Sequence, residues 1–102
     1  KEIILSGLPF GVQQASEWGL VNKVVPGADL QKEALAIAAR IAGNAPISVR
    51  QAKQAISRGV NMSVWDGLAF EVEAYNRMVP TEDRREGIRS FNEKRPPKFT
   101  GR

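Results

Sequence analysis

The sequence predicts a mainly α-helical chain of about five helices with one short strand. Apolar residues recur at helical spacing from residue 30 onward, and Gly and Pro fall where helices begin and end. Only one stretch, "LVNKVVP" (20–26), joins β-branched residues between a Gly and a Pro in the manner of a strand.

The opening "KEIILSG" reads as the last turns of a helix closed by Gly7, because only glycine enters the left-handed conformation cheaply. "VQQASEWGL" reads as a short helix closed by Gly19. Leu30, Ala34, Ile37, Ala38 and Ile41 then mark one face of an amphipathic helix, with Asp29 placed to cap it and Gly43 with Asn44 to stop it. Pro46 opens the next helix, where its missing N–H costs nothing, and Val49, Ala52 and Ile56 form the expected buried edge opposite Arg50, Gln54 and Arg58. Over 62–79 two apolar stripes appear. Trp65, Leu68, Ala69, Val72 and Val79 make one, and Phe70, Ala74 and Met78 make the other. A helix apolar on two sides is packed on two sides, and in so small a chain the second partner is expected to be another subunit. Asn61 or Ser63 is placed to cap this helix and Pro80 to end it. The last helix starts at Thr81, carries Glu82 and Asp83 in its first turn and Lys94 and Arg95 at its end, and stops at Pro96 and Pro97.

At 102 residues the chain can bury only a modest core, so a deep pocket would have to borrow walls. Cysteine is absent, which removes disulfides, thiolate nucleophiles and cysteine metal sites. Histidine is absent too, so no Ser-His-Asp triad fits within the chain, and no metal ligand set is assigned. The net charge of +4 suits a phosphorylated small molecule, an acidic surface or nucleic acid equally well. Acidic and basic residues interleave along the last helix instead of forming one basic stripe, so nucleic acid is not the expected partner. No run approaches the roughly 18 apolar residues of a membrane span, and no signal-peptide pattern opens the chain. No membrane partner is expected, and a soluble intracellular protein is. The chain begins at Lys1 rather than Met, directly in an apolar stretch, as a piece of a longer polypeptide would.

Glu71 and Glu73, two apart on a helix, point away from each other and cannot form an acid/base pair. Glu82, Asp83 and Glu86 read as cap and dipole complement. "SGLPFG" lacks the spacing of a phosphate-cradling loop. Phe91 and Lys94, three apart near the basic end of the last helix, offer an aromatic ring beside an ammonium, which could stack on a purine while the cation meets a phosphate. The plainer alternative packs Phe91 under the helix and leaves Lys94 solvated.

Four stretches together resemble the C-terminal part of the enoyl-CoA hydratase/isomerase, or crotonase, superfamily. They are "ASEWGLVNKVVP" (15–26), "NAPISVRQAKQAI" (44–56), "GLAFE" (67–71) and "TEDRREGIRSFNEKRPPKFTGR" (81–102), of which the last is the most specific. The resemblance implies the C-terminal part of an α/β crotonase spiral fold, with 1–26 ending the spiral core and 27–102 forming a helical trimerisation region. It implies an acyl-CoA substrate, no separate cofactor, homotrimers or hexamers, and a cytoplasmic setting, or the mitochondrial matrix in a eukaryote. In that family two backbone N–H groups hold the thioester carbonyl, and typical hydratases use two glutamates to handle water and proton. All of these lie upstream of the residues matched, so no catalytic residue is assigned and a fragment of this extent is expected to be inactive alone. Phe91 and Lys94 match positions that approach the adenine and phosphates of CoA from a neighbouring subunit. The last helix is then expected to lie across a subunit boundary, anchored there by Ile88 and Phe91, with its basic end toward an anionic ligand.

Overall fold

The computed structural model describes residues 1–102 as six α-helices and one 3-10 turn, with no β-strand. The chain divides into two compact units, Lys1–Leu35 and Ala36–Arg102.

In the first unit, α1 (Glu2–Ser6) ends at Gly7 with φ 62°, the left-handed cap expected there. Helix α2 (Val12–Glu17) ends in a Schellman cap: Gly19, φ 71°, donates to the Ser16 carbonyl at 3.0 Å and Leu20 donates to the Ala15 carbonyl at 2.9 Å. The Phe10 and Trp18 rings meet beside it, centroids 5.5 Å apart. Residues 20–26 are the main correction to the predicted elements. They form no strand, because β-branched side chains favour extended backbone but a strand needs a hydrogen-bonded neighbour, and the chain offers this stretch none. Lys23 within it pairs with Glu33 at 2.6 Å. Asp29, expected as a cap, instead closes the 3-10 turn Gly27–Asp29 that runs straight into α3 (Leu30–Ala42).

In the second unit, α3 stops as expected, the Asn44 side-chain amide donating to the Arg40 carbonyl at 2.9 Å. Helix α4 (Pro46–Gly59) has its proline in the first turn. A four-residue loop returns the chain into α5 (Val64–Asn76), capped by Ser63, whose hydroxyl oxygen accepts from the Asp66 N–H and donates to the Asp66 carboxylate. Helices α4 and α5 pack as a hairpin, with Gly67 against the Gly59 backbone. The Arg58 guanidinium lies 5.5 Å from the centre of the Phe70 ring. Helix α6 (Glu82–Asn92) begins at Thr81, whose hydroxyl oxygen accepts from the Arg84 N–H at 3.1 Å while donating to the Met78 carbonyl at 2.7 Å.

The two stripes of α5 behave differently. Ala74 is buried and Phe70 half-buried, as is Met78 in the turn after the helix, whereas Trp65, Leu68 and Val72 are exposed, Trp65 by 81%. Nor is the expected edge of α4 buried: Ile56, 69% exposed, lines an open apolar groove of about 570 Å³ with Val60, Val64 and Leu68. The α3 stripe at Leu30, Ile37 and Ile41 is likewise exposed. Only three apolar residues, Ala15, Ala45 and Ala74, are buried, so caps and local edges define these helices more than any closed core does. No helix is long and apolar enough to cross a membrane.

Candidate functional site

The site grows from the polar side of α6. Asp83, Glu86, Gly87 and Ser90 stand at i, i+3, i+4 and i+7, one face of a helix. Asp83 and Ser90 are buried, and Glu86 and Gly87 are half-buried. Residues 96–102 run back along this face. Asp83 Oδ1 accepts from the Thr100 N–H at 2.7 Å and Oδ2 from the Gly101 N–H at 2.8 Å, while the Asp83 N–H donates to the Arg102 carbonyl at 3.0 Å. Glu86 Oε1 accepts from the Lys98 N–H at 2.9 Å. Phe99 lies against Gly87, and Gly101, at φ 79°, lies against the Pro46 ring at the start of α4. The expectation that Asp83 and Glu86 merely complement the helix dipole is thereby corrected. They are the receptors of a strap, and being bidentate acceptors they satisfy backbone N–H groups that have no helix or sheet of their own.

Ile88 and Phe91, expected to anchor the helix across a subunit boundary, do not hold it within the chain. Ile88 is 53% exposed and Phe91 84% exposed, so the helix is held by its carboxylate face and these two side chains stand free on its other side. Lys94 lies two residues past the end of α6. The turn there is a second Schellman cap, with Lys94 donating to the Phe91 carbonyl at 3.2 Å and Arg95 to the Ser90 carbonyl at 3.0 Å. Lys94 occupies the left-handed position of that cap at φ 51°, the position that Gly19 fills after α2. The helical-face relation expected between Phe91 and Lys94 is therefore replaced by a direct backbone bond across a turn. Both side chains are exposed, and the Lys94 ammonium has no ion-pair partner.

Arg95 has a different part. Its guanidinium forks onto Glu86, 2.6 Å to Oε1 and 3.0 Å to Oε2, and its Nε reaches Glu93 at 2.5 Å. Of the cations at this end of α6, Arg95 is thus neutralised within the chain. Its hydrogen bonds, then the Lys98 N–H, hold the Glu86 carboxyl down at about 2 from an ordinary 4.5 in spite of partial burial. Glu86 in turn, and Glu93 after it, raise the already high pKa of Arg95. Since the folded state depresses the Glu86 pKa, its stabilisation is complete above about 4.5 and disappears as pH falls through about 2. Urea unfolding at a series of pH values will show wild type more stable than Glu86→Gln above pH 4.5, with the gap closing toward pH 2. A gap independent of pH would refute this.

The chain holds no cluster of three or more acidic, histidine or cysteine side chains able to bind a metal. What the end of α6 can do is present an exposed ring and an uncompensated ammonium, both on a backbone fixed by hydrogen bonds, to an aromatic, anionic molecule. Sequence reasoning found that pair but missed Asp83 and Glu86. Their signal was a helical-period stripe, 83–86–87–90, made of polar residues and glycine.

The family model described as enoyl-CoA hydratase/isomerase matches residues 1–102. The short-chain-enoyl-CoA hydratase of Clostridium acetobutylicum is 40% identical over 95 residues, covering 93% of this chain and 36% of that protein. The mitochondrial enoyl-CoA hydratase domain-containing protein 2 of Mus musculus is 43% identical over 106 residues, covering all of this chain and 36% of that one. A crystal structure of enoyl-CoA hydratase from Bacillus anthracis superposes with a TM-score of 0.86 at 47% identity, over 88% of this chain and 35% of the other. The chain spans less than two fifths of the length of these relatives. Matched along its whole length, with the helices of solved crotonase-fold enzymes, this chain belongs to the enoyl-CoA hydratase/isomerase family and corresponds to the C-terminal part of its longer members.

Proposed function

We propose that residues 1–102 are the C-terminal portion of an enzyme that adds water to a 2-enoyl-CoA thioester, and that they supply subunit contacts and part of the CoA site. The observation that carries this reading is the end of α6. Phe91 is exposed, Lys94 is exposed and unpaired, and the Lys94 backbone is held in a conformation that lysine disfavours. A stacked adenine and a phosphate are the groups such a pair would engage.

The exposed stripe Trp65, Leu68 and Val72 supports the subunit contacts, since an apolar helix face of that kind is ordinarily covered by protein. A trimer or a hexamer would cover it. The reactive groups would stand in the rest of the longer polypeptide, so residues 1–102 by themselves would turn over no substrate. A cytoplasmic setting, or the mitochondrial matrix in a eukaryotic cell, goes with this reading.

The test is an assay of the full-length protein that carries this chain, with a 2-enoyl-CoA and, separately, its 3-enoyl isomer. Loss of the conjugated enoyl-thioester absorbance is expected with the first. A protein that only shifts the double bond of the second would make it an isomerase, a reading favoured by the relative from Mycosarcoma maydis named enoyl-CoA isomerase/hydratase, 37% identical over 102 residues. Activity on neither would sink both.

A further inference from the structure

Lys94 is fixed from both sides. Before it, the Schellman bonds tie its backbone to Ser90 and Phe91. After it, Arg95 is forked onto Glu86, nine residues back within α6, shares its Nε with Glu93, and donates to the Pro96 carbonyl at 3.1 Å. Glu86 Oε1 also takes the Lys98 N–H, so a single carboxylate secures the chain on the far side of Lys94 at two points. A side-chain-bearing residue persists at positive φ only where its surroundings over-determine it. Here they do, yet the ammonium itself is left without a counter-ion.

We propose that Glu86 is a positioning residue: through its bidentate pair with Arg95 it holds the Lys94 turn so that the ammonium and the Phe91 ring face one anionic, aromatic ligand together. The inference rests on the CoA reading above and gives Glu86 and Arg95, which touch no ligand in it, a defined part in nucleotide recognition. Glu86 also removes Arg95 as a competing cation beside Lys94. A mere structural clamp would affect every property of the protein alike. A positioning clamp acts on the nucleotide half of the substrate and on nothing else.

The experiment uses the full-length protein and two substrates carrying the same 2-enoyl group, one on CoA and one on N-acetylcysteamine, which lacks the nucleotide. Its readout is the ratio of kcat/KM for the first over the second. Glu86→Gln and Arg95→Gln are each expected to lower this ratio about fivefold, mainly through KM for the CoA thioester. In a Lys94→Ala background Glu86→Gln is expected to lower it no further, because the group being positioned is already gone.

A parallel loss on both substrates leaves the ratio unmoved and overturns the proposal in favour of a general effect on folding. An unmoved ratio in Glu86→Gln together with a lowered one in Lys94→Ala also overturns it, while sparing the CoA reading. If Lys94→Ala itself leaves the ratio unmoved, the nucleotide site at the end of α6 is wrong and the positioning idea falls with it.

Discussion

Replacing Asp83 by alanine will release residues 96–102 from α6 and cost the unit Ala36–Arg102 about 3 kcal/mol, as expected when a buried charged acceptor is withdrawn from two backbone donors. Asp83 is 2% exposed, the most deeply buried charged side chain of the protein. Its two oxygens serve different amides, Thr100 and Gly101, and nothing else in the chain accepts from either. Removing the carboxylate therefore leaves two N–H groups to find water, and the easiest route to water is for the strap to lift. Phe99 then leaves Gly87, and Gly101 leaves Pro46.

Asp83→Asn sharpens the test. The shape is kept, but one oxygen becomes an amide nitrogen that must face an N–H donor, so the variant is expected to lose most of what alanine loses. Hydrogen exchange at Thr100 and Gly101 reports the strap directly, and urea unfolding reports its contribution. Should both amides stay protected in Asp83→Ala, the strap is held by something other than this carboxylate.

The strap also shows where legibility stopped. Helix starts and stops were readable because their chemistry is local: Thr81, Ser63, Pro46, Gly7 and Asn44 each act within four residues of themselves. The two stripes of α5 were readable from period alone, and the structure separates them into a covered side and an exposed one. Residues 20–26 were misread because composition announces extended backbone but says nothing of a partner strand. The inner face of α6 was missed for a related reason. The apolar side chains of this helix are Ile88 and Phe91, whereas the covered positions are Asp83, Glu86 and Ser90. Asp83 and Glu86 accept from backbone N–H groups 12 to 18 residues away, which carry no residue type for a pattern to find. Within the candidate site, Phe91 and Lys94 were legible as a spacing. The left-handed turn between them and the diversion of Arg95 to Glu86 were not.

Lys94→Gly will move stability and ligand affinity in opposite directions. The same pair of Schellman bonds closes α2 and α6, but the first has glycine at its left-handed residue and the second has lysine, φ 71° against φ 51°. A Cβ in that conformation crowds the following carbonyl, at a cost of roughly 1–2 kcal/mol for an ordinary residue. Glycine would relieve it at the price of extra freedom in the unfolded chain, so the net gain is expected near 1 kcal/mol. If turn chemistry alone governed this position, glycine would serve it better. Lysine is worth its strain only if the ammonium is used, and a charge-assisted bond to phosphate is worth about 1.5–3 kcal/mol, enough to reverse the balance whenever ligand is bound. Unfolding midpoints of the full-length protein are therefore expected to rise in Lys94→Gly while KM for a CoA thioester rises about tenfold. Lys94→Ala separates the two contributions, since it keeps the Cβ and the strain but loses the charge: its KM should match that of Lys94→Gly without the gain in stability. A Lys94→Gly protein that is more stable and binds CoA thioesters as well as wild type would leave the strain at this turn without a functional counterpart.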